Sequence, residues 1–120
     1  LPKGIDENYV YEYDQDFRFV GKHVIASGYT LMGIQTVTFS GGNWWFGCYG
    51  KPQVLLKTGE NFKLVAEYTF DCSLGIAGLP DGNLLVARGL KLPEKAVAGC
   101  VALAVIKVDL PPCDWHHTKR

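Results

Sequence analysis

Charge of one sign is the first thing this sequence lacks. Twelve Lys plus Arg stand against 12 Asp plus Glu, for a formal net charge of zero. A balanced chain projects no broad field, so neither a nucleic-acid nor a membrane partner is expected. Long hydrophobic runs are absent too. The longest, "AVAGCVALAVI" at 96–106, has 11 residues, whereas a membrane helix needs about 20; it reads as a buried strand. The four cysteines, Cys48, Cys72, Cys100 and Cys113, show no CxxC spacing, which excludes a zinc ribbon or a thioredoxin-like motif. Their even number permits disulfides, but buried thiols acting as small hydrophobes are the first expectation. No Asn-x-Ser/Thr site occurs at Asn8, Asn43, Asn61 or Asn83. The chain begins at Leu1 rather than Met, so the lack of a signal-peptide pattern carries no information.

What is present points to strands. The 120 residues are 48% hydrophobic and 20% charged, the balance of one folded domain with a real core. Fourteen glycines punctuate runs of Val, Tyr, Phe, Trp and Thr, which favours an all-β fold. One hairpin is unusual. In "GIQTVTFSGGNWWFGCYG" (33–50), Trp44, Trp45 and Phe46 follow one another. A strand with one wet face alternates apolar with polar, so this strand is expected to be buried on both faces.

An internal repeat supplies the context. With one residue inserted in the second turn, "YVYEYDQDFRFVGKHVI" (9–25) aligns with "QVLLKTGENFKLVAEYTF" (53–70), matching Phe17 to Phe62 and Val20 to Val65 at an offset of 45. "GIQTVTFSGGNWWFG" (33–47) aligns with "GIAGLPDGNLLVARG" (75–89), matching Gly33 to Gly75 at 42 and Gly42-Asn43 to Gly82-Asn83 at 40. Between the matched points lie about four short strands per unit, joined by turns such as "SGGN", "YGKP" and "TGEN". In the central unit these strands are expected at Ile34–Phe39, Asn43–Cys48, Gln53–Lys57 and Phe62–Phe70. A four-stranded antiparallel meander of roughly 42–45 residues has the period of a β-propeller blade. Blades packed face to face bury their central strands on both sides. That accounts for Trp44–Phe46, for Val54–Leu56 and for Leu84–Ala87. A closed β-barrel or a sandwich is the alternative architecture.

The pattern "GIQT…GNWWFGCYG…F-x-L-V…GI-x-x-L-x-DGNLLVA" resembles consecutive blades of six-bladed NHL/TolB-like β-propellers. The resemblance covers about residues 9–108 and amounts to two to two and a half blades. The signatures of Trp-Asp repeat propellers are absent. With strands lettered A to D from the axis outward, residues 1–110 read C-D, A-B-C-D, A-B-C, and 111–120 form a C-terminal tail. Closed propellers need four or more blades, so the expected partners are the remaining blades of a larger propeller, or further copies of the chain.

The strand letters gather a candidate ligand-binding set on one face. Connections from D to A and from B to C bring Tyr29, Thr30, Tyr49, Lys51, Asp71 and Ser73 together, with Gln35 entering from an inner strand. Stacking plus hydrogen bonding by such residues suits a small polar ligand; ordinary solvated loop residues are the competing reading. No catalytic set assembles, because His23 falls on an outer strand, away from Asp71-Cys72-Ser73. Propeller lactonases, which this type resembles, hold calcium with Glu, Asn and Asp. The corresponding inner strands here carry Gln35 and Ala77. Cys113, Asp114, His116 and His117 in the tail are metal-capable, but they lack a second half-site and read as a loosely packed terminus. No metal or cofactor is expected. The functional expectation is a non-catalytic module binding a small polar ligand or a protein partner. The alternatives are a segment of a propeller hydrolase and a self-assembling structural unit. Within a propeller, Cys72 and Cys100 are the pair best placed for any disulfide, and Cys113 belongs at the opposite end.

Overall fold

The computed structural model describes residues 4–50, 53–89 and 101–106. These form β1 (Asn8–Tyr13), β2 (Phe19–Ile25), β3 (Ile34–Ser40), β4 (Asn43–Cys48), β5 (Val54–Thr58), β6 (Leu64–Thr69), β7 (Gly75–Gly78), β8 (Leu84–Gly89) and β9 (Val101–Ile106). No helix occurs among the described residues. The fold is all-β and every strand pairing is antiparallel. A first sheet holds β1-β2, a middle sheet holds the meander β3-β4-β5-β6, and a third holds β7-β8-β9. No sheet closes into a barrel among the described residues.

Local chemistry fixes the turns. At 14–18, 59–63 and 79–83 one hydrogen-bonding scheme recurs. The first residue's N–H donates to the fifth residue's carbonyl, and the fourth residue's N–H donates back to the first residue's carbonyl. This is a type I turn followed by one left-handed residue, a common three-residue hairpin loop. The left-handed position is occupied by Phe17 (φ 61°), Phe62 (φ 63°) and Gly82 (φ 86°). Side chains reinforce each turn: Asp14 Oδ1 accepts from the Arg18 amide, Asn61 Oδ1 from the Lys63 amide, and Asp81 Oδ1 from the Asn83 amide. Thus the aligned Phe17 and Phe62 share a strained backbone conformation as well as a residue type.

The middle sheet is covered on both faces. Trp44 and Phe46 point toward the first sheet, where Phe46, Cys48, Val54, Leu56 and Phe62 form a cluster with Ile25, joined by Val10. Trp45 points the other way and packs with Leu55, Cys72, Leu84 and Val86. Trp45 and Phe46 are fully buried, whereas Trp44 is half-buried and rests on Phe39, Phe46 and Phe62. The continuous aromatic run therefore follows from two-sided packing. Each aromatic buried in this way contributes about 2–3 kcal/mol from removal of apolar area alone.

Where the middle and third sheets meet, β3 and β7 run close together. Thr38 Oγ1 accepts the Gly78 amide at 3.0 Å, and a Cβ at Gly78 would lie 2.8 Å from both the Phe39 carbonyl oxygen and Ser40 Cβ. Glycine at 78 is thus required by proximity. Gly47 is required for the same reason, since a Cβ there would lie 2.7 Å from the Cys72 carbonyl oxygen.

Candidate functional site

The connections at one end of the sheets are tied to one another by backbone and side-chain hydrogen bonds. The Met32 amide donates to the Tyr49 carbonyl at 3.1 Å, Gln35 Nε2 donates to the Met32 carbonyl at 2.8 Å, and Thr36 Oγ1 donates to the Cys72 carbonyl at 2.8 Å. Segments 26–33, 48–50 and 71–74 accordingly share one end. Tyr49 and Gln35 are exposed there, and Tyr29 and Asp71 are half-buried. Lys51, also expected in this set, lies outside the described residues, as do Cys100, Cys113, His116 and His117.

Two of the expected ligand contacts are turned inward. Thr30 is fully buried, and its Oγ1 accepts from Asn8 Nδ2 at 3.0 Å. Ser73 is also buried, with both its amide and its Oγ donating to Asp71 Oδ1, at 3.0 and 2.7 Å. Asp71 and Ser73 thus build an Asx turn that shapes the crossover into β7. The sequence reading gave Asn8 no role, yet it organises the other crossover. Its amide group donates to Ser27 Oγ at 2.7 Å and to Thr30 Oγ1, while its Oδ1 accepts the Ile34 amide at 3.3 Å. No sequence pattern singled it out, because its partners lie 19 to 26 residues away.

The same end also carries apolar groups that the polar inventory overlooked. Leu31, Met32, Tyr49 and Leu74 are between 43% and 55% exposed. Solvated apolar side chains gathered with a tyrosine and a methionine have the composition of a recognition surface.

At the opposite end, the β3–β4 and β7–β8 turns border an open cleft of about 310 Å³. Asn43, Lys57, Asp81 and Asn83 line it, above Trp45. Lys57 Nζ stands 5.2 Å from the Trp45 ring centroid, and the indole Nε1 donates to the Ser40 carbonyl at 3.1 Å. Asp81 binds the Asn83 amide and side chain at 2.9 and 3.1 Å. Chemically this is a cation, a carboxylate and two amides around a shallow basin.

His23 contacts Glu12 Oε1 at 2.8 Å and stacks on Phe62 with ring centroids 3.9 Å apart. It serves the packing between the first and middle sheets. Among the described residues no group of three or more His, Cys, Asp and Glu is placed to hold a metal ion. Cys48 and Cys72 are thiols, each wholly inaccessible to solvent. Tyr68, whose ring lies 6.2 Å from that of Trp45, has its hydroxyl pKa pushed up by burial. Comparison with family models, with curated proteins and with solved structures gives no match.

Proposed function

We propose that this chain is a non-catalytic recognition module of β-propeller type, which binds a protein partner through the end of the sheets carrying the crossover connections. The observation that supports it is the exposed group Leu31, Met32, Tyr49 and Leu74 on connections that are hydrogen-bonded in place. Apolar residues on a pre-formed surface lose little conformational entropy on binding, which favours recognition. The packing of three successive sheets, with β3 and β7 adjacent, supports the propeller part of this reading, since blades around a common axis stack with their inner strands side by side.

A photo-crosslinking amino acid placed at Met32 or Leu74 in cells tests the reading, with Lys63 on the β5–β6 turn as control. The expected result is a discrete adduct with the same protein from both positions, lost on Tyr49→Glu and absent from position 63. Equal labelling from all three positions, or none, would contradict it.

A second reading, a small polar ligand, is favoured by the cleft at Asn43, Lys57 and Asp81. Amide chemical shifts recorded during titration with a panel of monosaccharides and amino acids separate the two. Shifts clustered at 41–43, 57 and 81–83 select the cleft.

A further inference from the structure

The first sheet has one face packed on the middle sheet and one face bare, and the bare face is aromatic. Strand alternation and the register Tyr9↔Val24, Tyr11↔Lys22 and Tyr13↔Phe19 place these residues together on it. Tyr9, Tyr11 and Tyr13 are 50–56% exposed, and Phe19 is 59% exposed. Tyr13 and Phe19 meet edge to face at 5.8 Å, and Lys22 Nζ lies 4.0 Å above the Tyr9 ring. A face of this kind on a folded domain marks a contact surface.

The internal repeat shows what covers such a face. Phe62, on the turn between β5 and β6, is 5% exposed because it reaches onto the first sheet and stacks on His23. Phe17 holds the same left-handed position on the turn between β1 and β2, yet it is 88% exposed. Counted back from the equivalent turns at 14–18 and 59–63, Tyr9, Tyr11 and Tyr13 match Val54, Leu56 and Thr58, which are all buried, and Val54 and Leu56 pack against the first sheet. The bare aromatic face is thus equivalent to a face that, one repeat later, receives a neighbouring sheet.

The third sheet presents the complementary surface. Ile76, Leu84 and Val86 pack inward, which leaves Ala77, Leu85 and Val105, paired across β7, β8 and β9, on its far side. Ala77 and Val105 are exposed. In the two existing interfaces, a face carrying several aromatics meets a largely aliphatic one. Across the first, Trp44, Phe46 and Phe62, set among Val54 and Leu56, oppose Val10, Ile25 and the His23 ring; across the second, Trp45, Tyr68 and Phe70, with Leu55, oppose Ile76, Leu84 and Val86. One face of each kind is left over.

We infer that the aromatic face of the first sheet docks on the far face of the third sheet of a second copy of this chain. The contact is heterologous, so its repetition builds a ring if the rotation closes. This inference rests on the stacked-sheet part of the functional reading and not on the partner-binding end.

Sedimentation equilibrium of the full chain tests it, with Tyr11→Lys and Val105→Lys as variants and circular dichroism confirming that each folds. The wild type is expected to exceed the 13.3 kDa monomer mass as concentration rises. Each variant alone should weaken association at least about tenfold. A mixture of the two should form dimers, because one retains the third-sheet face and the other the aromatic face. A monomer at every concentration up to about 1 mM overturns the inference. So does unchanged association of Val105→Lys, which would mean aromatic faces pairing with each other, or a mixture that stays monomeric. Absence of any discrete adduct from Met32 and Leu74 in the otherwise wild-type chain, with association intact, would remove the partner-binding proposal and leave this one standing.

Discussion

Replacing Phe by Gly at two repeat-related positions is expected to change stability in opposite directions. Phe17 and Phe62 both sit at φ near +60° in turns with the same hydrogen bonds. For a residue with a Cβ, the left-handed conformation costs about 1–2 kcal/mol, and glycine removes that strain. Glycine also makes the unfolded chain more flexible, which returns about 0.5–1 kcal/mol of destabilisation. At Phe17, 88% exposed, only these two effects operate, and Phe17→Gly should stabilise by about 0.5–1 kcal/mol. At Phe62 the lost ring is 5% exposed and stacks on His23 and Trp44, at 3.9 and 5.3 Å. Truncating a buried aromatic costs about 3–5 kcal/mol, so Phe62→Gly should destabilise by about 3 kcal/mol net. Urea unfolding followed by tryptophan fluorescence, at concentrations where sedimentation gives the monomer mass, reads both values. Equal destabilisation at the two sites would refute the reasoning, since it would mean that Phe17 is also buried or that the strain is not there.

Four further expectations follow from the packing. Trp45→Ala should cost about 3–5 kcal/mol in urea unfolding, and Trp44→Ala less, because Trp44 is only half-buried. Gly47→Ala should cost about 1–3 kcal/mol by overpacking, since its Cβ would press on the Cys72 carbonyl 2.7 Å away; calorimetry checks this as a lowered Tm. Asn8→Ala should cost about 1–3 kcal/mol by stripping the Ile34 amide and the Ser27 and Thr30 hydroxyls of a partner, and amide exchange across 27–34 should accelerate. Burial raises the Tyr68 pKa above its ordinary value, so the folded state holds that proton more tightly than the unfolded state does. The associated stability is fully present below the unfolded pKa of about 10 and is lost as pH rises through the folded value. Tyr68→Phe should flatten that alkaline decline in unfolding measurements.

Two-sided burial of the middle sheet was legible in the sequence because three successive aromatics fit no strand with a wet face. The turns were legible from glycine and asparagine, and the observed β3–β6 boundaries fall within two residues of those expected from them. The repeat was legible as matched residues. Its conformational content was not, because an aromatic at positive φ runs against local preference; the turn's hydrogen bonds hold it there at both positions, and packing on His23 adds to them only at Phe62. The exposure of the candidate site residues was the least legible part. Thr30 and Ser73 look like solvated loop residues, but their hydroxyls are claimed by Asn8 and Asp71 in the folded chain. Hydrogen bonds formed across a fold leave no periodic trace in the sequence. The apolar group at Leu31, Met32 and Leu74 escaped for a related reason, since single apolar residues in loops carry no signal until the fold brings them to one end.

Stacking of the middle sheet between two others is tested most directly by nuclear Overhauser contacts of its aromatic rings. The Trp45 indole should show cross-peaks to the methyl groups of Leu84 and Val86, and the Phe46 ring to the Ile25 methyl groups, with no exchange between the two sets. Cross-peaks from both rings to the same neighbouring sheet, or from neither ring to any other sheet, would contradict it.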